Sequence, residues 1–410
     1  MRKSKIKLFL SAFFRRACYF ISIPVSLILI LISPFYRVRL IGLQASRIGH
    51  YALNTELILC EINEETGITK NKTLFYNMAS PCNEQLSIMW KRIIPVFPIS
   101  RLAIQIDMIL SSLSKKYKND KLKTKYEPCS GAIDQNGLLL KYKNPHLNFT
   151  EKEKEKAKSI LEKIGVKQGQ RYICLIVRDS AYLNQIYPEK NWSYHDHRNA
   201  DIAKYEKAAL YLAEKGYVVF RMGKRVNQPF LASHPNIIDY ANSQWRSDFM
   251  DIYLCAACYF CISTCTGLDC VSQIFRRPVL LTNISPVFGE TLMWYPCTMY
   301  IPKPLKNIKT EKLVELSEAA VICKNLSREI LKELATLNLI IIENTEDEIL
   351  AAVIEMESRV KNEWQETEDE QNLQAQYWRH YKKHRPVMVN EIYLKLGSEF
   401  LKKNSSILLQ

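Results

Sequence analysis

Glycine is scarce: 12 in 410 residues. A phosphate cradle built on Gly-rich backbone can therefore exist in few places. No P-loop, no G-x-G-x-x-G and no G-x-S-x-G occurs. That disfavours a Walker NTPase, a standard dinucleotide oxidoreductase and a serine hydrolase. There is no recognition-helix motif and no zinc-finger spacing, so nucleic acid is not an expected partner. Acidic residues are missing from the first 55 positions, Glu56 being the first.

What is present begins with charge. The net charge is +15, which favours anionic partners: membranes or anionic small molecules. Much of it alternates with Glu, as in Lys152 to Lys167, and reads as a solvated helix face. Twelve cysteines sit largely in apolar runs such as Leu57-Ile-Leu-Cys60 and Tyr172-Ile-Cys-Leu-Ile176. Those are buried free thiols of a reducing compartment.

Ala17 to Tyr36 carries no charge over 20 residues, about the length that crosses a bilayer as a helix. Arg2, Lys3, Lys5, Lys7, Arg15 and Arg16 precede it, and Arg37, Arg39 and Arg47 follow. Basic residues on both sides and Pro24 in the middle suit a monotopic or re-entrant anchor on the cytoplasmic face of the inner membrane. A single span is the competitor.

Beyond the anchor, extended runs alternate with helical ones. Arg37 to Leu43 reads as a strand, Gln44 to Gly49 as a turn and His50 to Cys60 as a helix. Tyr172 to Val177, Tyr217 to Arg221, Asn236 to Tyr240, Tyr259 to Ile262 and Val279 to Thr282 are further strands, with helices between them. The pattern predicts a parallel, doubly wound sheet with its ligand at the carboxyl ends of the strands. Arg178 and Asp179, Arg221 to Lys224, Asp239, and Ser263 to Gly267 all fall at such ends. Beyond 350 the chain reads as charged helices. The expected division is an anchor over 1–36, an α/β domain over 37–165, a second over 166–350 and a helical extension over 351–410.

The richest unit is Tyr259 to Thr282. A strand leads through Ser263, Thr264, Thr266 and Gly267 into a helix over Leu268 to Phe275. Unpaired N–H groups at that helix start, with the hydroxyls, suit a phosphate; an ordinary capped helix is the bland alternative. Cys255, Cys258, Cys261 and Cys265 match an iron–sulfur spacing, but lack its trailing proline and cross several elements, so core thiols read better. Tyr194 to Asp201 is a dense polar loop. His195, Asp196 and His197 lack a third metal ligand nearby. Arg198, Asn199 and Asp201 are candidates to hold a sugar or order a lid, Asp201 equally an N-cap. His50 follows Arg47 and Gly49 at a helix start, as a general base, an anion ligand or a surface histidine.

Five segments carry a resemblance: Arg47-Ile-Gly-His-Tyr-Ala-Leu-Asn-Thr-Glu56, Arg178-Asp-Ser-Ala-Tyr182, Arg198-Asn-Ala-Asp-Ile202, Gly216-Tyr-Val-Val-Phe-Arg-Met-Gly-Lys224 and Ser263-Thr-Cys-Thr-Gly267. Over roughly 37–290 the chain resembles bacterial glycosyltransferases encoded in surface-polysaccharide operons. More distantly it is similar to heptosyltransferases and fucosyltransferases of the two-domain GT-B architecture. Cys265 and Cys270 depart from the residues expected there. The resemblance implies two Rossmann-like domains and a metal-independent transferase with no cofactor. Its donor is a nucleotide sugar, and its acceptor a lipid-linked or polysaccharide chain. It implies that Ser263, Thr264, Thr266 and Gly267 hold the donor diphosphate. Arg178, Asp179, Arg221, Gly223 and Lys224 complete the donor site, and Arg47 and His50 face the acceptor, with His50 as base. The rivals are a membrane-tethered, non-catalytic polysaccharide-assembly protein and an iron–sulfur protein.

Overall fold

The computed structural model describes residues 2–36, 38–64, 72–117, 134, 136–285, 298–327, 329–384 and 394–405. The expected strand start at Arg37, part of the lysine-rich stretch after 117 and the matched region beyond 285 lie outside the described residues. The chain divides into two compact units, 1–132 with 146–148, and 133–145 with 149–410.

The first unit opens with helix α1 (Arg2–Ile32), which continues through Pro24. Its buried strip is Cys18, Ser22 and Ser26, four residues apart and so on one face. Val25, Leu29 and Ile30 pack on a cluster of Leu40, Tyr76, Ala103, Ile106 and Leu110. The other faces expose Phe13, Phe20, Leu27 and Leu31, and the turn that follows exposes Phe35. Strand β1 (Val38–Leu43) leads into a π-helical turn, His50–Asn54, and helix α2 (Thr55–Glu64). Strand β2 (Lys72–Asn77) pairs in parallel with β1, Val38 opposite Lys72 through Leu43 opposite Asn77. Helix α3 (Glu84–Ile93) is capped by Asn83, whose Oδ1 accepts from Leu86 N–H at 2.9 Å. Trp90 is fully buried and its Nε1–H donates to Tyr51 O at 3.0 Å, pinning the π-helical turn. Helix α4 (Ser100–Tyr117) packs beside α1.

The second unit begins with a short helix α5 (Leu138–Lys141) and α6 (Glu151–Ile164). Helix α6 has a Thr150/Glu153 capping box and ends at Gly165 with φ 100°, the left-handed stop that glycine allows. The division expected at 165 therefore lies elsewhere: α6 belongs to the second unit. There Phe149 stacks on Phe275 with ring centroids 5.8 Å apart, and Lys156 Nζ lies over the Phe249 ring.

The sheet elements follow in chain order: β3 (Tyr172–Ile176), α7 (Ala181–Ile186), α8 (Glu206–Glu214), β4 (Val218–Arg221), β5 (Ile237–Ile238), α9 (Asp248–Ala257), β6 (Cys261–Ser263), α10 (Asp269–Ile274), β7 (Val279–Ile284) and β8 (Thr298–Pro302). Next come β9 (Leu305–Asn307), α11 (Leu316–Lys324), α12 (Ile330–Thr336), β10 (Leu339–Ile341), α13 (Glu346–Val360), α14 (Glu368–His384), β11 (Leu394–Leu396) and α15 (Ser398–Lys403). Seven strands form one sheet in the order β11-β8-β7-β6-β3-β4-β5, and every pairing is parallel. Strand β3 is buried at all five residues, as a central strand covered on both faces must be. Each such aliphatic side chain contributes about 1.5–3 kcal/mol by leaving water. The residues after 350 are not a separate extension: β11 adds an edge strand to this sheet, with Leu394 opposite Thr298. Strands β9 and β10 form a small antiparallel pair over their own apolar cluster, Leu305, Leu334 and Leu339 among it.

Candidate functional site

Outward from β3, the sheet order reverses between β3 and β6. Their carboxyl ends bound the crevice where parallel α/β sheets take ligands. Ile176 pairs with Ser263, so Arg178 and the turn after β6 are neighbours. Arg178 N–H donates to Thr264 Oγ1 at 2.9 Å, and Thr264 N–H donates to Ile176 O at 3.2 Å.

The turn is built differently from the expectation. Ser263 and Thr264 are buried, and the Thr264 hydroxyl serves the β3 backbone. Thr266 Oγ1 accepts from Leu268 N–H at 3.2 Å. The left-handed residue is Cys265, with φ 58°, rather than Gly267. A non-glycine held there stores strain, a feature of functional turns. Asp269 is fully buried at the first turn of α10, and among the described residues neither of its carboxyl oxygens has a hydrogen-bond partner. Burial pushes its carboxyl up to about 7, opposed by the nearby Ser263 hydroxyl and by the Arg198 charge. The chain's own carboxyl thus stands at the helix start where the sequence suggests a phosphate.

Positive charge gathers beside it. Arg178 is half-buried, makes no ion pair among the described residues, and its buried Nε has no hydrogen-bond partner there. Burial and then the nearby Arg198 pull its guanidinium down to about 10. Arg198 Nη2 donates to Cys265 O at 2.7 Å, which fixes that guanidinium at the turn. His197 is pulled down to about 3, first by burial, then by Arg198, His195, Lys303 and Arg178. It is neutral at pH 7, with Nδ1 2.7 Å from Ser285 Oγ.

Lys303, 3% exposed, holds the loop from β8: its Nζ donates to Asn199 O at 2.5 Å and to His197 O at 3.4 Å. Ala200 N–H donates to Arg178 O at 3.0 Å. Asp201 is an N-cap, accepting from Ala203 N–H at 3.0 Å. So the loop over 193–201 is clamped against the ends of β3 and β8, and Arg198 is its inward-reaching charge.

The β4 end is a second, separate cluster. Arg221 is 1% exposed; its Nη1 pairs with Asp239 at 3.2 Å and its Nη2 donates to Gln228 O at 3.1 Å. Asp239 also accepts from Phe230 N–H and Asn242 Nδ2. Asp179 accepts from Ala181 N–H and Asn227 N–H, bracing one loop on the other. Lys224 pairs with Asp248 at 3.4 Å, and Arg246 with Asp248 and Asp251. A Cβ at Gly223 would stand 2.7 Å from Val226 Cγ1. These residues carry charge that is already compensated.

Arg47 and His50 belong to the first unit. Arg47 is exposed and His50 half-buried in the π-helical turn. Burial, then Arg47, lowers the His50 pKa, while the Asn54 amide 3.3 Å from Nδ1 opposes the drop.

Sequence reasoning missed Asp269, Ser285 and Lys303. Asp269 was readable as an acid in the first helical turn, and Lys303 as a cation directly after a strand. Ser285 gave no signal. Three of the four cysteines of the iron–sulfur spacing are core residues, while Cys265 lies half-buried in the turn. Cys255, Cys258 and Cys261 are fully buried with Cys174, and the Cys258 thiol donates to Cys255 O.

No protein-family model matches the chain, and no curated protein does. Among solved structures it is similar to E. coli ADP-heptose lipopolysaccharide heptosyltransferase II, at 13% identity and TM-score 0.36, over 74% of this chain and 98% of that one. It is also similar to a family 9 glycosyl transferase from Veillonella parvula, at 11% identity and TM-score 0.40, over 74% and 97%. A third is an E. coli heptosyltransferase with ADP, at 13% identity and TM-score 0.31, over 74% and 97%. Likeness at these values does not decide chemistry, which has to come from the residues themselves.

Proposed function

We propose that the chain is a glycosyltransferase that takes a nucleotide-sugar donor at the ends of β3 and β6. The observation that carries this reading is Arg178, a half-buried guanidinium without an ion pair among the described residues, beside a second guanidinium on Arg198. A partly buried guanidinium of this kind at a sheet's switch point is costly without an anion and suits a diphosphate.

In transfer, the bond between the anomeric carbon and the diphosphate oxygen breaks as the acceptor hydroxyl oxygen bonds that carbon. Arg178 and Arg198 meet the charge that grows on the departing diphosphate, the part a divalent cation plays elsewhere. His50, of the first unit, is the candidate base for the hydroxyl proton. Turning the Asn54 amide so that Oδ1 accepts from Nδ1–H leaves Nε2 as the free lone pair. A pKa lowered by burial keeps that lone pair available at neutral pH.

Ala12–Ile32 is 21 residues long and apolar enough to cross a membrane. We place it in the interface instead. One strip is held against the folded unit while the aromatic faces remain exposed, which suits a helix lying in the lipid surface. All ten described cysteines are free, in keeping with a cytoplasmic body. A lipid-linked saccharide is the acceptor that such an anchor would serve.

The test is a panel of nucleotide sugars read by thermal shift, followed by label transfer from the best donor to membrane lipid extract. Transfer that disappears in Arg178→Gln supports the reading. Binding of no nucleotide by the intact protein would leave a polysaccharide-assembly protein instead.

A further inference from the structure

We propose that Glu56, Cys60 and His146 of the first unit bind one zinc ion. Among the described residues they are the one group of three such side chains whose ligand atoms all lie within 4.8 Å of one another. Glu56 and Cys60 are one turn apart on α2, hence on the same face. His146 comes from the 146–148 segment that returns to this unit.

The ring Nδ1 of His146 is 3.2 Å from Glu56 Oε2, and His146 N–H donates to Glu56 Oε1 at 3.4 Å. Tetrahedral zinc, with bonds of about 2.0–2.3 Å, needs ligand atoms about 3.3–3.8 Å apart. Small side-chain rotations close the remaining gap.

The donor set selects the metal. One thiolate, one imidazole and one carboxylate suit zinc, whereas magnesium and calcium take oxygens alone. The charges also close: Glu⁻ and Cys⁻ neutralise Zn²⁺, so a group that is 0% exposed at both Glu56 and Cys60 holds no net charge. The proton displaced from the Cys60 thiol leaves to solvent. The His146 side chain is 22% exposed and marks the side of entry, where a water or further ligand completes the tetrahedron.

A supporting contact is already in place. The Asn63 amide is 2.9 Å from His146 Nε2. With its oxygen turned to accept Nε2–H, it frees Nδ1 for the metal and fixes the ring, as outer partners of zinc histidines do. The zinc would thereby clamp the 146–148 segment onto α2. It is independent of the sugar-transfer reading, since none of its ligands belongs to the donor site.

The experiment is elemental analysis of the tag-free, full-length protein in detergent, then a cobalt titration of the metal-stripped protein. We expect about one zinc per chain and a saturable thiolate-to-cobalt charge-transfer band. Cys60→Ser abolishes the band and the bound zinc; Cys82→Ser, altering another thiol of the same unit, keeps both. Asn63→Ala weakens zinc affinity about ten- to a hundredfold. Should Cys60→Ser fold poorly, the wild-type titration decides alone. Zinc well below stoichiometry, no saturable band, or a band unchanged in Cys60→Ser overturns the proposal and leaves a buried Glu–His pair.

Discussion

The sheet edge of the second unit holds two arginines in contrasting states. Arg221, at the end of β4, is sealed from solvent and paired with Asp239. Arg178, just beyond β3, is partly open, has no ion pair among the described residues and has Arg198 for company. Both follow strands, and both read in the sequence as donor-site cations. Their surroundings separate them: the turn after β5 and the start of α9 carry Asp239, Asp248 and Asp251, while the 193–201 loop and the end of β8 bring Arg198, His197 and Lys303. A charge that already has its counter-ion holds the fold together; one without it is available to a ligand.

The largest expected effect breaks the compensated side. Arg221→Met leaves the half-buried Asp239 without its cation and should cost about 3 kcal/mol of stability, read by denaturant unfolding. Adding Asp239→Leu should recover part of it. If Arg221→Met left stability unchanged and abolished nucleotide binding, the two arginines would have to exchange roles.

Next comes a pH effect at the turn. Asp269 has a folded pKa raised to about 7, so the native state binds more protons than the unfolded chain between about pH 4 and 7. Stability from this group is present at low pH and is lost as pH rises through 7, by roughly 2–4 kcal/mol. His197, lowered to about 3, works in the opposite sense. Its contribution is present above about pH 6.5 and is lost as pH falls toward 3. The two slopes oppose each other over most of that window. Asp269→Asn should expose the His197 slope, so that stability climbs steadily from pH 4 to 6.5. A profile in the Asp269→Asn variant no steeper than wild type would contradict the assignment.

A smaller effect concerns the anchor. Replacing the exposed Phe13, Phe20 and Leu27 by serine should release the protein from anionic vesicles in flotation while leaving its unfolding midpoint within about 0.5 kcal/mol of wild type. Loss of folding together with loss of binding would mean that these faces are buried in the folded protein.

Much of the fold was legible. The alternation of apolar runs and helices gave the parallel sheet, because a strand covered on both faces must be apolar throughout, as Tyr172 to Ile176 is. Thr150 with Glu153, and Asn83, cap helix starts through chemistry a sequence can display. Strand β11 was hidden, since three residues after a long charged helix carry no period to read. The site was legible as a location and not as a set of roles. Strand ends named Arg178, Arg221 and the 263–267 turn together, but only tertiary pairing shows that Asp239 takes one arginine and leaves the other. Asp269 entering the turn, and Cys265 rather than Gly267 adopting the positive φ, likewise depend on packing behind α10.

The central claim is that Arg178, not Arg221, meets the donor diphosphate. Calorimetric titration of ADP, UDP and GDP into the wild type and Arg178→Gln tests it most directly. The claim predicts that one of the three binds the wild type, and that affinity falls about ten- to a hundredfold in Arg178→Gln, the loss of one charge-assisted hydrogen bond, with the unfolding midpoint preserved. Equal affinity in both proteins would contradict it.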